Sequence, residues 1–298
     1  MASLLEIKKK ITGVKNTRKI TKAMQLVAAS KMQYFQKKAL SSRNYIVELL
    51  DLLQINLTHK AKSIYTQKRT EGPTLFVIYT SDKGLCGSLN SKLLNALFKS
   101  NEWLNLPEDQ KLLITLGKKS ADFAKYNNIK VAESFTGIVE KMSAYESLEI
   151  IDKIIDFWRE NKCKEIVFVS PHYKNSFTFY PVKKTFLPLS ENMLKEHLGA
   201  MESLNQPTAN DHRSGYMIFE PSKAEITEKL HEMIVQGLFM QAFLELKASE
   251  YSSRMIAMKN ATDAADKITK NLTLTYNKAR QQAITQQIAE LVGASLAM

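Results

Sequence analysis

Apolar positions in the last quarter of the chain recur at steps of three and four. Ile226, Leu230, Met233, Gly237, Met240 and Leu244 form one run; after one further step of four, Ala248, Tyr251, Met255, Met258, Thr262, Ala265, Thr269, Leu272, Tyr276, Ala279 and Ala283 continue it. No proline interrupts residues 222–292, so the spacing predicts one very long helix carrying an apolar stripe. Ser222 after Pro221, with Glu225 three residues on, predicts its N-cap and a capping box. At about 1.5 Å per residue such a helix extends roughly 105 Å, against about 50 Å for a compact globule of this chain length, so it is expected to project. The stripe is poor in Leu and rich in small residues such as Ala261, Ala264 and Ala265, which admits a neighbouring backbone but buries little apolar area.

The other end of the chain carries a matching signal. Leu4, Ile7, Ile11 and Val14, then Ile20, Met24, Val27, Met32 and Phe35, then Ile46, Leu49, Leu50, Leu53 and Leu57 predict a helix from residue 3 to about 58. The stripe fades at Asn16, Thr17 and Arg18 just after Gly13, where the helix is expected either to bend or to meet another backbone. Ala23, Ala28, Ala29 and Ser30 supply a second small-residue face. Two long terminal helices, each needing cover, most simply bury each other as a long antiparallel coiled coil. The C-terminal helix is the longer of the two, so its far end is left over. From Gln281 to Met298 only Glu290 is charged, which suits insertion into an apolar collar made by another protein.

Between the helices the pattern switches to the α/β alternation. Strands are expected at Thr74–Thr80, Lys111–Leu116, Ile129–Phe135 and Glu165–Ser170, and helices at Ser88–Phe98, Ala121–Tyr126 and Glu146–Glu160. Ser176–Phe186 is expected at the sheet edge, His197–Arg213 as a mobile loop, and Tyr216–Glu220 as a possible return to the sheet. The organisation expected is an N-terminal helix at 1–60, a central, mostly parallel α/β domain of four or five strands at 73–210, and a C-terminal helix at 221–298.

Charge sharpens this picture. The chain of 298 residues has a net charge of +12. Residues 1–43 hold eleven basic groups against one acidic group, Glu6, whereas residues 222–298 hold nine basic and eight acidic. The first helix therefore calls for a polyanionic partner: acidic protein loops, nucleic acid or an anionic membrane surface. Two cysteines, Cys86 and Cys163, make neither a disulfide framework nor a metal-ligand spacing. No apolar run is long enough to span a membrane and the N-terminus lacks a signal-peptide pattern, so membrane association is expected only through partners.

The chemistry-bearing stretch is Ser81–Asn90, SDKGLCGSLN, which follows a buried strand and opens a helix, where α/β domains often bind ligands. Its amides and Lys83 suggest a phosphate cradle, and Cys86 suggests a nucleophile, so a small-molecule enzyme using residues 82–88 is one reading. Neither motif is complete: there is no G-x-G-x-x-G, no Walker-type lysine and no histidine nearby in sequence, which favours a tight structural or docking loop. Asp263 and Asp266 share a helical face in an otherwise balanced charge pattern, which reads as solvated surface.

Three segments carry a resemblance over essentially the whole chain: ITGVKNTRKITKAMQLVAASKM at Ile11–Met32, SDKGLCGSLN at Ser81–Asn90, and SEYSSRMIAMKNATDAA at Ser249–Ala265 together with NKARQQAITQQIAE at Asn277–Glu290. The sequence resembles the gamma subunit of F-type ATP synthases, in its bacterial form. The resemblance implies a rotor shaft with no catalytic centre or cofactor of its own. The terminal helices would turn inside a hexamer of three alpha and three beta subunits, and a Rossmann-like domain would dock, with the epsilon subunit, on the membrane ring of c subunits. Lys22, Met24, Lys31, Arg280, Gln281 and Thr285 would meet beta subunits. Ile284, Ile288, Leu291, Val292, Leu296 and Met298 would form the apical bearing. Asp82, Lys83, Gly84, Leu85, Cys86, Gly87, Ser88 and Leu89 would form the foot at the c-ring and epsilon. A place on the cytoplasmic side of the cell membrane follows from the same likeness. Ser88 stands where the family commonly has glycine, and Gln282 and Gln287 where alanine and glutamate are common. The competing reading of the basic helix is a coiled-coil protein that binds nucleic acid or an anionic membrane.

Overall fold

A computed structural model describes residues 4–56, 63–137, 143–190 and 220–296. Two long helices flank an α/β region: α1 spans Leu4–Asn56 and α6 spans Lys223–Leu296. Between them lie β1 (Thr74–Tyr79), α2 (Leu89–Phe98), α3 (Asn101–Asn105), β2 (Lys111–Leu116), α4 (Lys118–Tyr126), β3 (Glu133–Phe135), α5 (Ala144–Glu160), β4 (Glu165–Asn175) and β5 (Thr178–Leu187). Contacts divide the chain into two compact units: residues 1–30 with 254–298, and residues 31–253.

The sheet in the second unit has the order β3-β2-β1-β4-β5. Its first four strands are parallel, and β5 runs antiparallel to β4 at the edge. The mostly parallel sheet expected from the alternation is present. β3 is shorter than expected, because only Glu133–Phe135 pairs with Ile114–Leu116. β4 is longer than expected, since it continues to Asn175 and turns directly into β5. The Asn175 side chain fixes that turn, its Oδ1 accepting from the Phe177 and Thr178 amides at 2.9 Å each. Residues 197–213 and 216–219, expected as a loop and a returning strand, lie outside the described residues.

Alternation within the buried strands serves two layers. Phe76, Ile78, Val167 and Val169 join Leu94, Leu97, Trp103 and Ala124 of the helical layer in one core cluster. Tyr79 and Phe168, of opposite parity, take α6: Phe239 stacks on Tyr79 with centroids 5.8 Å apart and meets Phe168 edge-on at 5.8 Å. Gly117, between β2 and α4, has φ +97°, and a Cβ there would stand 2.1 Å from the Thr80 carbonyl oxygen. Only glycine permits that crossing.

Helix caps follow the sequence. The Ser143 hydroxyl and Glu146 form a complete capping box for α5. The Ser222 hydroxyl accepts from the Glu225 amide at 3.3 Å and donates to its carboxylate at 2.8 Å, so Ser222 starts α6 as expected.

Burial corrects the stripes in two places. In α1 the buried line runs through Thr21 and Ala28, seven residues apart, while Ile20 and Val27 are 60% and 57% exposed. At these two steps the smaller residue, and not the larger apolar one before it, is the buried one. In α6 every residue from Phe243 to Ser253 is buried, so over these turns the helix is a core element covered on all sides rather than a one-sided stripe. Ile234, Val235, Leu238, Phe239 and Leu246 form the second apolar face that the single stripe left out. At Gly13 a Cβ would meet nothing within 4 Å and α1 runs on unbroken, so no other part of the chain among the described residues approaches it.

Candidate functional site

In the first unit α1 and α6 meet antiparallel along a narrow seam: Arg18 pairs with Asp266 and Thr21 with Thr262. The two threonine hydroxyls lie 2.8 Å apart and are buried. Thr21 also reaches the Arg18 carbonyl at 3.1 Å and Thr262 the Met258 carbonyl at 2.8 Å, so one hydroxyl proton bridges the helices while the other returns to the backbone. Ala28, Met258 and Ala265 are buried in the same unit, and Thr269, Leu272, Tyr276, Ala279 and Ala283 continue as a half-buried line on α6. Arg18 and Asp266 are each more than 40% exposed, so their pair contributes little.

Among the residues expected to meet beta subunits, Lys22 is exposed and Met24 half-buried on α1. The Lys22 ammonium donates to the Gln25 side-chain oxygen at 3.3 Å, and exposed Ile20, Leu26 and Val27 surround it in sequence. α1 thus carries exposed basic and apolar residues around this turn. Hydropathy predicts Ile20 and Val27 on the interior stripe, but Thr21 and Ala28, one position on and at the same seven-residue spacing, are buried instead. Lys31 belongs to the second unit, half-buried with its ammonium 5.4 Å from the Tyr251 ring centroid. Arg280, Gln281 and Thr285 are exposed on α6, and the Thr285 hydroxyl donates to the Gln281 carbonyl at 3.0 Å. Ile284, Ile288, Leu291 and Val292 are 47%, 56%, 72% and 53% exposed. The side chain of Leu296 and all of Met298 lie outside the described residues.

The Ser81–Asn90 loop separates into an inward and an outward set. Asp82 caps α4: its Oδ1 accepts from the Lys118 amide at 2.8 Å and the Gly137 amide at 3.2 Å. The Cys86 thiol is buried, accepts from Asn90 Nδ2 at 3.2 Å and lies 3.6 Å from the Ser81 hydroxyl. The thiol is thus part of the loop's packing, and no histidine is among these partners. Leu89 is buried, whereas Lys83, Leu85, Gly87 and Ser88 are exposed and Gly84 half-buried. Leu85 and Gly87 take positive φ of 61° and 57°, which turns the loop over α6, where a Gly87 Cβ would lie 3.9 Å from the Ser253 carbonyl oxygen. The loop follows β1, whose two neighbours β2 and β4 diverge in chain order, the crevice where sheets of this order take nucleotides. In this chain the loop lies close to Ser253 of α6.

A charged cluster that the sequence reading did not single out ties α1, α6 and β4 together in the second unit. Glu245 Oε1 accepts from Arg43 Nη2 at 2.8 Å, Arg43 Nε at 3.2 Å and Gln241 Nε2 at 3.0 Å. Its Oε2 contacts His172 Nδ1 at 3.0 Å and accepts from the Tyr173 amide at 3.2 Å, while Arg43 also donates to the Tyr173 carbonyl at 3.2 Å. Burial alone would push the Glu245 pKa up; the His172 hydrogen bond and the Arg43 charge outweigh it and bring it down to about 2. One turn on, Lys247 and Glu250 form a second buried pair at 3.1 Å. Arg43 and Glu245 sit 202 residues apart in sequence, and no local spacing announces them.

The ATP synthase family model matches residues 3–298. The chain belongs to the ATP synthase gamma chain family. An ATP synthase gamma chain from Staphylococcus saprophyticus is 33% identical over 300 residues, covering 100% of both chains. One from Synechococcus sp. is 32% identical over 314 residues, again covering 100% of both. The fold also resembles a chain of the Euglena gracilis mitochondrial ATP synthase, in an OSCP/F1/c-ring structure, with a TM-score of 0.66 at 19% identity over 99% of this chain and 94% of that one. A chain of the Tetrahymena thermophila mitochondrial ATP synthase, from its central stalk and c-ring, gives 0.59 at 23% identity over 81% and 99%. As a gamma-chain family member it combines the antiparallel seam with exposed basic and apolar surfaces. Among the described residues no helix is long and apolar enough to cross a membrane, and no group of three or more His, Cys, Asp or Glu could hold a metal.

Proposed function

We propose that this chain is the central rotor shaft of a proton-translocating ATP synthase, transmitting torque between a membrane c-ring and three catalytic beta subunits. The observation that carries this reading is full-length kinship with gamma chains at both ends of the molecule. Its surfaces agree with that role. Lys22 and Met24 of α1, with Arg280, Gln281 and Thr285 on α6, would meet beta subunits, the basic helix lying against their acidic loops. Ile284, Ile288, Leu291 and Val292, with Leu296 and Met298 beyond them, would turn in the apolar collar of that hexamer as its bearing.

At the sheet domain, the outward set of the Ser81–Asn90 loop, Lys83, Leu85, Gly87 and Ser88, would dock on the c-ring and the epsilon subunit. Asp82, Cys86 and Leu89 would hold the loop in shape. The buried Arg43–Glu245–His172 cluster then has a mechanical role: it joins both helices to the sheet, so torque applied to the sheet reaches the helices without slip. The chain would sit peripherally on the cytoplasmic side of the cell membrane, held there by its partners, and nucleotide chemistry would belong to the surrounding subunits.

The test is coexpression with alpha and beta subunits. A complex of three alpha, three beta and one copy of this chain with ATPase activity is the expected outcome. Failure to assemble, with salt-sensitive binding to nucleic acid or anionic vesicles instead, would favour the reading of α1 as a polyanion-binding helix.

A further inference from the structure

Between α6, β4 and the edge strand β5, the second unit holds a cavity of about 110 Å³, open to solvent on one side. Strand register sets what faces it. Phe168 of β4 stands opposite Lys184 of β5, and Ser170 opposite Val182, so Val182, Lys184 and Phe186 alternate along one face of the edge strand. Phe168 meets Phe239 of α6 edge-on, which turns that face toward α6. Phe168, Val182 and Phe186, with Leu238 and Ala242 of α6, supply the apolar walls, and Lys184 stands among them. Phe168 and Phe186 are buried whereas Lys184 is exposed, so its ammonium lies at the open side. That ammonium makes no hydrogen bond or ion pair among the described residues. The lining holds one carboxylate, Glu245, and both of its oxygens are taken, one by Arg43 and Gln241, the other by His172 and the Tyr173 amide. Two permanent cations, Arg43 and Lys184, thus stand against one anion, and the charge left over is that of Lys184.

We infer that this cavity binds a short alkyl monocarboxylate, whose tail lies along the apolar walls and whose carboxylate pairs with the Lys184 ammonium at the open side. At about 30 Å³ for a water-sized group, the space takes about four methylene-sized groups, which makes the fitting ligand a fatty acid of about six carbons with its head at the mouth. One uncompensated cation suits a monoanion, and it leaves the second charge of a phosphate monoester without a partner. Tail methylenes gain by leaving water, and a carboxylate beside apolar walls attracts an ammonium more strongly than it does in open solvent. An inward-pointing lysine on an edge strand can also serve only to discourage pairing with another strand. That role requires no cavity behind the lysine, and here there is one. Because the lining shares Arg43 and Glu245 with the junction of α1, α6 and β4, an occupant binds the folded chain and stabilises it by mass action.

Saturation-transfer NMR titrations of the full-length chain test this, with hexanoate as the probe and butanoate, 1-hexanol and hexylammonium as comparisons. Hexanoate is expected to bind saturably and tighter than 1-hexanol, to raise Tm, and to gain about fourfold in affinity over butanoate for each added methylene. Hexylammonium is expected not to bind. Lys184→Gln is expected to weaken hexanoate about tenfold and to leave 1-hexanol unchanged, while Lys184→Arg retains hexanoate. Ala242→Phe and Val182→Phe fill the space from α6 and from β5, and each is expected to abolish binding while circular dichroism keeps its native form. If one of them fails to fold, the other decides. No saturable hexanoate binding, equal affinity for 1-hexanol, or unchanged binding in a folded filled variant would each overturn the assignment. So would unchanged hexanoate binding in Lys184→Gln, which would leave the lysine with the edge-blunting role alone.

Discussion

Arg43 on α1 and Glu245 on α6 meet at 2.8 Å in the interior, each less than a tenth exposed, and the same carboxylate reaches His172 on β4. A buried pair of this kind is worth little against an apolar replacement, but breaking one half of it leaves a charge stranded. Glu245→Ala is therefore expected to destabilise the chain by about 3–5 kcal/mol, read from urea unfolding. A loss below about 1 kcal/mol would show that Arg43 finds water or another partner instead.

The same carboxylate sets an acid limb. Its folded pKa, about 2, lies below the ordinary value of 4.5, so its contribution is fully present above the unfolded pKa and is lost as pH falls from there toward 2. The amount is on the order of 3 kcal/mol. Stability measured across this window is expected to fall with pH, and Glu245→Gln to flatten that part of the decline.

Thr21 and Thr262 allow the seam to be tested by a double-mutant cycle. Either threonine changed to Val leaves the other hydroxyl without its bridge, costing about 1 kcal/mol, whereas changing both is expected to cost less than the two single changes together. Additive losses in thermal unfolding would show that the hydroxyls act separately through their own carbonyls, Arg18 and Met258.

Two glycines separate by opposite signs. Gly13→Ala meets open space within a helix and is expected to stabilise the isolated chain by up to about 1 kcal/mol. Gly117→Ala places a Cβ against the Thr80 carbonyl at positive φ and is expected to abolish cooperative unfolding of the sheet region. Circular dichroism melts distinguish the two, and similar behaviour at both positions would contradict the packing described.

The end of α6 supplies a functional contrast. Changing Ile284, Ile288, Leu291 and Val292 together to Ser is expected to leave the melting of the isolated chain within about 0.5 kcal/mol of the parent, because all four are exposed. The same change is expected to lower the yield of the assembled hexamer. Loss of stability without loss of assembly would reverse the proposed roles.

The helices, their caps and the parallel sheet were legible because each rests on local regularities: the three-four spacing, Ser222 with Glu225, and the runs TLFVIY and EIVFVS. The stripe positions were less so. Ile20 and Val27 look like interior residues by hydropathy, but a seam with a close backbone admits Thr21 and Ala28 instead. Glu245 was out of reach for a different reason: its partners come from α1, α6 and β4, and only the tertiary fold brings them together. Within the Ser81–Asn90 loop the sequence could not separate inward Asp82 and Cys86 from outward Lys83 and Leu85, because side-chain direction there depends on the positive φ at Leu85 and Gly87.

Rotation of the assembled complex tests the central claim most directly. Tyr126, 88% exposed at the end of α4, offers a labelling site as Tyr126→Cys, since Cys86 and Cys163 are both buried. With the alpha and beta hexamer immobilised and a bead attached there, ATP is expected to drive unidirectional turning with one step for each beta subunit. A complex that hydrolyses ATP while the bead on an intact chain stays still would contradict the account.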